Sequence, residues 1–348
     1  MNQENILKIK EEVEGLENPE ERIVMLKKLL GPELSSLISE NTAPETDEEL
    51  LDRKIQSLKA KGMTSGGIKK YFKDMEGLNV SDRNIREALD KNEPEMREWL
   101  DRPLEQMYPI IFLDGMRFRV KDNGRTVNKC SHHIIGINMD GQKELLGIWI
   151  ADNEGAKYWG QILQEIKNRG VEDMLIACMD GLKGLPEALQ TVFPDTHVQL
   201  CINHLTRSTT RFIKGDAKEG VYSALKTVYC APTEKAALSN LEDVIREWSE
   251  FEALFFPWKE RWPEIAPFFN FTDEVRRLIY TTNHVESLHS QFRRRTRSTP
   301  VFASEDTLRL ALFAAQREIT QKWVNPIMNW GRIVSELKMT YGDRLEWF

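Results

Sequence analysis

A mixed α/β (α+β) fold, with helices ahead of the sheet and more helices after it, is what three features of the sequence predict. The runs "PIIFLDG", "KCSHHIIGINMD", "KELLGIWI" and "DMLIACMD" have the length and the β-branched or alternating composition of strands. Segments of helical period, such as "EGAKYWGQILQEIKNRG" and "EDTLRLALFAAQREIT", stand between and after them. The chain has 348 residues, 41% of them hydrophobic and 30% charged, which is enough for two or three domains and a large core.

Residues 1–46 read as an acidic helical arm of short charged pieces, ending in the polar linker "SENTAPETDEE". Residues 47–106 read as helical. The first helix is "DEELLDRKIQSLKAKG", with Gly62 as C-cap, and the second is "SGGIKKYFKDMEG". The third begins at "VSDRNIREALDK", where Ser81 is a good N-cap. Ile68, Phe72, Val80, Ile85 and Leu89 would bury together. Helix, short glycine-containing turn, helix and a basic helix resemble a helix-turn-helix, which would face Arg83, Asn84 and Arg86 toward DNA. A plain small helical bundle fits the same pattern.

Residues 107–205 change texture. "PIIFLDG" runs into "MRFRVK", the turn signal "DNGR" leads to "KCSHHIIGINMD", and "KELLGIWI" follows "DG", giving three antiparallel strands. An amphipathic helix closed by Gly170, the buried strand "DMLIACMD", the helix "GLPEALQTVF" and the short strand "HVQLCIN" complete this part. Residues 206–279 read as a helical insertion whose tryptophans, Trp248, Trp258 and Trp262, belong to the core. Residues 280–348 return with a helix bearing Glu286 and further helices. This order of elements is the ribonuclease-H-like arrangement, split by the insertion. Of His132 and His133, adjacent in one strand, one is expected to face outward.

Two aspartates share one context. Asp114 ends "IIFLD" and Asp180 ends "IACMD", each after an apolar strand and before glycine. Ligands collect at strand ends in α/β sheets, because side chains there leave the core while the strand holds them rigidly. A lone aspartate in that place is usually a turn or cap residue, but two on adjacent strands would bring their carboxylates together. Such a pair suits metal-assisted phosphoryl transfer, in which Mg2+ takes oxygen ligands and two ions about 3.5–4 Å apart serve the attacking and leaving oxygens. A third carboxylate is wanted, and Glu286 is the candidate: it is the lone acid among six arginines between Arg276 and Arg297. Arg293 lies seven residues on, along the same helix face. Arg293, Arg294, Arg295 and Arg297 would bind phosphates while Glu286 holds metal among them. The competing reading makes Glu286 only a salt-bridge partner of an arginine.

The net charge of −7 does not exclude nucleic acid, because residues 1–55 hold fourteen acids and seven bases and the remainder is neutral. Local patches, more than the total, set phosphate affinity. No apolar run reaches the ~18–20 residues that span a bilayer, so no membrane is expected. The start, "MNQENILKIKEEVEG", has no signal-peptide core, and Cys130, Cys178, Cys201 and Cys230 are scattered; a reducing cytoplasm follows as the expected location, with nucleoid association. Cys201 and His204 make only half of a structural zinc site, and His197 would not complete it.

Over about residues 57–315 the chain resembles the Mutator-type transposases of bacterial insertion sequences. The matching stretches include "GMTSGGI", "WLDRPLEQMYPIIFLDG", "LGIWIADNEGAKYW", "NRGVEDMLIACMDGLKGLPEA", "FPDTHVQLCINH", "APTEKAAL" and "IYTTNHVESLHSQFRR". The resemblance implies a DNA transposase with its Asp-Asp-Glu triad on Asp114, Asp180 and Glu286, holding two Mg2+ with Mn2+ as a substitute. It puts the Cys-x-x-His element on Cys201 and His204. It implies strand nicking at transposon ends, strand transfer to target DNA by the freed 3′-OH, and a homodimer or higher oligomer on paired ends. His284 and His289 stand where the family usually has Ala and Asn, and the region ahead of the helix-turn-helix is short beside typical relatives. Two other readings stay open: a nuclease without strand transfer, and a truncated or domesticated copy acting as a DNA-binding regulator.

Overall fold

The computed structural model describes residues 46–345. The chain divides into two compact units, residues 1–54 and 55–348. The expected acidic arm over residues 1–46 lies, but for its last residue, outside the described residues.

Helix α1 (Asp47–Ala60) runs into Gly62, whose φ of +88° suits a residue without a side chain. Helix α2 (Ser65–Tyr71) starts where the Thr64 hydroxyl accepts from Gly67 N, and α3 (Asp82–Asp90) starts on a capping box between Ser81 and Asn84. Ile55, Ile68, Phe72, Val80, Ile85 and Ala88 form the small core expected of this region, while Leu89 stays half-buried. The third expected helix is followed by a further one, α4 (Asn92–Asp101). Pro94 falls in its first turn, where the missing N–H costs no helical bond.

Strand β1 (Met107–Asp122) pairs antiparallel with β2 (Arg125–Ile137), which pairs antiparallel with β3 (Lys143–Ala151). On its other edge β1 runs parallel to β4 (Asp173–Met179), and β4 runs parallel to β5 (His197–Leu200). The sheet order is therefore β3-β2-β1-β4-β5, with the first three strands antiparallel as the sequence predicts. Helix α5 (Ala156–Asn168) buries Trp159, Ile162, Leu163 and Ile166, one face at helical spacing. Helix α6 (Leu185–Val192) packs beside it.

One expectation fails here. Both His132 and His133 are fully buried. β2 is an inner strand, and each of its faces is covered. The His132 ring packs on Tyr158 and Trp159 of α5, and the His133 ring on His289 and Phe292 of α13 (Asn283–Thr296). Adjacent strand residues point to opposite faces, so these contacts show a sheet with helices on both sides.

After β5 come α7 (Ile202–Thr210), α8 (Asp216–Tyr229), α9 (Glu234–Glu247), the short α10 (Phe256–Glu260) and α11 (Trp262–Ile265), and α12 (Asp273–Ile279). Trp258 and Trp262 are buried as expected, and their indole N–H groups donate to Thr209 Oγ1 and Glu234 Oε1. This helical excursion leaves and returns at one place, because Ile202 N donates to Tyr280 O at 2.9 Å. The return sets the start of α13 beside the end of β5. Helices α14 (Glu305–Thr320) and α15 (Trp330–Tyr341) finish the described chain.

Candidate active site

Asp114 is not at the end of its strand: β1 continues for eight more residues to Asp122. The end that matters belongs to the parallel neighbour. Leu113 is in register with Met179, the last residue of β4, so Asp114 and Asp180 sit side by side where β4 stops. Each carboxylate is fixed by a local N–H: Gly115 N donates to Asp114 Oδ1 at 2.8 Å and Leu182 N to Asp180 Oδ1 at 3.1 Å.

The carboxylate that joins them is Glu154, from the loop after β3. Asp114, Asp180 and Glu154 each offer an oxygen, and these oxygens lie within 4.8 Å of one another. Gly115 makes room for this. A Cβ there would meet Glu154 Oε1 at 2.6 Å and Cys130 Sγ at 2.9 Å, so any larger residue would displace the Glu154 carboxylate. Burial raises Asp114 to about 7, with the charges of Asp180 and Glu154 adding to it and His204 and the Gly115 N–H opposing. Glu154 is also raised, first by burial and then by Asp180. Glu154 was not anticipated from the sequence. Its only local signal was an acid in the loop just after a buried strand, forty residues from Asp114.

Glu286 falls in a second cluster. It stands in the first turn of α13, as expected, and its Oε1 lies 2.8 Å from Arg207 Nη1 and 3.3 Å from His204 Nε2. Cys201 Sγ, a ring nitrogen of His204 and a Glu286 oxygen lie within 4.8 Å of one another. Cys201 also accepts from the backbone N–H and hydroxyl of Thr282. Burial pushes the Cys201 thiol up, but the His204 imidazole and the Thr282 hydroxyl bring it below its ordinary value overall. The hydrogen bond to Cys201 raises His204 to about 9 against the effect of burial, with the charges of Asp114 and Glu286 contributing. His204 therefore couples the two clusters electrostatically. The Cys-x-x-His spacing puts Cys201 at the N-cap of α7 and His204 in its first turn. His197 is turned away, with Nδ1 2.8 Å from the Tyr341 hydroxyl.

Behind Asp114 runs a buried chain of imidazoles. His289 Nδ1 lies 3.5 Å from Asp114 Oδ2, His289 Nε2 lies 2.9 Å from His133 Nδ1, and His133 Nε2 lies 3.0 Å from Ser131 Oγ. Burial holds both rings below the ordinary histidine value, His289 at about 3. With both rings neutral, one assignment of protons serves every link. Ser131 donates to His133 and His133 to His289, which leaves the Nδ1–H of His289 facing Asp114 Oδ2 at 3.5 Å. A cleft of about 750 Å3 opens beside this centre, lined by Asp180, Leu182, Cys201, His204, Ser208 and Arg261 among others.

The basic residues divide. Arg293, Arg294 and Arg297 are exposed on and just past the last turn of α13. Arg295 does not join them. Its side chain is 9% exposed and faces Glu318 at 3.8 Å. Helical spacing places it on the face of Leu288 and Phe292, both fully buried, and that signal was present in the sequence. On α3, Arg83 and Arg86 are exposed, with Arg83 paired to Glu87 at 2.7 Å. Asn84 spends its side-chain oxygen on the Ser81 backbone N–H of the capping box. Arg207 was not anticipated.

The sequence profile described as "Transposase, Mutator family" matches residues 43–326. A transposase for insertion sequence element ISRM3 from Rhizobium meliloti is 37% identical over 295 residues, covering 84% of this chain and 74% of that one. A probable insertion sequence transposase from Corynebacterium diphtheriae is 35% identical over 315 residues, covering 84% of this chain and 92% of its own. Among solved structures, the Drosophila P element transposase strand transfer complex aligns with a TM-score of 0.41 at 10% identity, over 86% of this chain and 99% of that one. A profile match over most of the length, together with relatives of this identity and coverage, shows that the chain belongs to the Mutator family of transposases.

Proposed function

We propose that the protein is a DNA transposase that nicks DNA at transposon ends in a metal-dependent step and joins the freed 3′-OH to target DNA. The observation that carries this is the convergence of Asp114, Asp180 and Glu154 at the end of β4, coupled through His204 to Glu286. The sheet order, with helices on both faces and a helical excursion before α13, supports a ribonuclease-H-like catalytic domain.

The donor set fits a hard divalent cation. It is all oxygen, it is largely buried, and mutual repulsion with burial raises Asp114, a cost that a cation would relieve. Asp114, Asp180 and Glu154 would hold Mg2+, or Mn2+ in its place, with Glu286 of the neighbouring cluster as the further carboxylate of the family triad. When bound, such ions polarise the phosphate and lower the pKa of the attacking hydroxyl. The chain's own residues do the rest. His289 holds the outer oxygen of Asp114 in place, and the Gly115 and Leu182 N–H groups fix the carboxylate rotations. Arg207 and His204 orient Glu286. Arg293, Arg294 and Arg297 supply phosphate contacts, and Arg83 and Arg86 supply duplex contacts ahead of the catalytic domain. Two copies would act on paired ends.

The test is a nicking assay on a duplex carrying the element's terminal sequence. Mg2+ or Mn2+ should support nicking, and Ca2+ should support binding without cleavage. Cleavage at full rate in EDTA would overturn the metal assignment. Nicking without any strand-transfer product would reduce the protein to a nuclease.

A further inference from the structure

Phe212 is 72% exposed, yet residues on either side of it are packed. Thr209, Thr210 and Ile213 are buried on either side, and Thr209 Oγ1 accepts from the buried Trp258 indole. The ring is thus presented to solvent between buried neighbours. Its surroundings are cationic. The Arg211 guanidinium lies 5.5 Å from the ring centroid, Lys214 is exposed two residues on, and Arg211 stands one helical turn beyond Arg207. His204, Arg207 and Arg211 are spaced three and four residues apart, so one face of α7 leads from the Glu286 carboxylate outward to Phe212.

We infer that Phe212 is a stacking platform for an unpaired nucleobase of the DNA end, with Arg207 and Arg211 holding the adjoining phosphates. This rests on the transposase reading above. An aromatic ring interleaved with cations matches a single strand, which presents alternating π-faces and negative charges, and such stacking tolerates any base. A protein partner would want a broader apolar patch than one ring among arginines.

The experiment uses the full chain in Ca2+, with a duplex bearing a short single-stranded tail that carries 2-aminopurine at its first unpaired positions, and the same duplex fully paired. Phe212→Ala, Phe212→Leu and Phe212→Trp are compared with wild type by anisotropy and 2-aminopurine fluorescence. Wild type and Phe212→Trp should change the probe's emission on binding. Phe212→Ala and Phe212→Leu should bind tailed DNA about five- to tenfold more weakly without that change, as expected when one base no longer stacks. All four should bind the paired duplex within about twofold of one another. Unchanged affinity and emission for Phe212→Ala on tailed DNA would overturn the inference alone, leaving the transposase reading intact. Equal losses on tailed and paired DNA would also overturn it, making Phe212 a general surface contact. Failure of wild type to bind either DNA would overturn both.

Discussion

Asp114 and Glu286 both feel the charge of His204, and their surroundings treat a carboxylate in opposite ways. Asp114 is 8% exposed, has two further carboxylates for neighbours and only neutral imidazole behind it. Glu286 meets a guanidinium at 2.8 Å and an imidazole raised to about 9. The first site is strained by its own charge and would be relieved by an external cation. The second has brought its cations with it. Clustering acids and pairing acids are thus separate devices, and two neighbouring clusters of one chain hold one each.

The largest expected effect tests the roles directly. Asp114→Asn, Asp180→Asn and Glu286→Gln should each reduce Mg2+-dependent nicking by about 10³-fold or more, since a bound metal supplies several kcal/mol of transition-state stabilisation. Stability should separate them. Asp114→Asn removes a buried charge and should raise the melting temperature of metal-free protein. Glu286→Gln loses a partly exposed ion pair and should lower stability by about 1 kcal/mol or less. If Glu286→Gln nicks at near the wild-type rate, Glu286 is only the partner of Arg207, and the two clusters have nothing chemical in common.

The next effect sharpens the strain at Asp114 through pH. Its folded value, about 7, lies above the ordinary 3.8. The folded state therefore binds the extra proton between these values, and the group's stabilising contribution is complete below about pH 4 and lost as pH rises toward 7. Denaturant melts of metal-free wild type and Asp114→Asn should diverge by a few kcal/mol, in favour of the variant, between pH 4 and 7, and run parallel above. Mg2+ should shrink that gap near pH 7. Parallel curves throughout would remove the strain from the account.

The smallest effect carries the contrast over to the arginines of α13. Arg293→Ala with Arg294→Ala should weaken DNA binding across sequences and flatten its salt dependence by roughly 0.9 for each phosphate no longer neutralised. Arg295→Ala should leave the salt slope alone and instead cost about 1–3 kcal/mol of stability, because Glu318 loses its cation in a largely buried place and keeps the Ser57 hydroxyl. A salt titration by anisotropy reads the slopes, and a denaturant melt reads the stability. A slope change for Arg295→Ala would mean that its burial is relieved when DNA binds.

Much of this was legible in the sequence where the cause is local. Apolar runs leading into Asp-Gly placed Asp114 and Asp180 together, because parallel strands in register bring matching positions side by side, even though β1 runs on past Asp114 where β4 stops. Ser81 was readable as a cap, because capping involves residues only three positions apart. The burial of Arg295 was also readable, since it continues the spacing of Leu288 and Phe292. Within an unbroken run of arginines, its charge outweighed its position. His289 could be noticed as a departure from the family pattern, but not what it touches: its partner His133 is 156 residues away.

The sequence by itself determined most of the elements and their order, since these depend on period and caps, and it pointed to the aspartate pair through two strands of the same pattern. The tertiary structure alone decided that Glu154 enters the acidic cluster past Gly115, that Arg207 and His204 take hold of Glu286, and that both strand histidines are buried. Those outcomes are electrostatic and steric, and they depend on distances between residues far apart in the chain. Such distances exist only once the sheet has been covered on both faces and the helical excursion has closed back on β5.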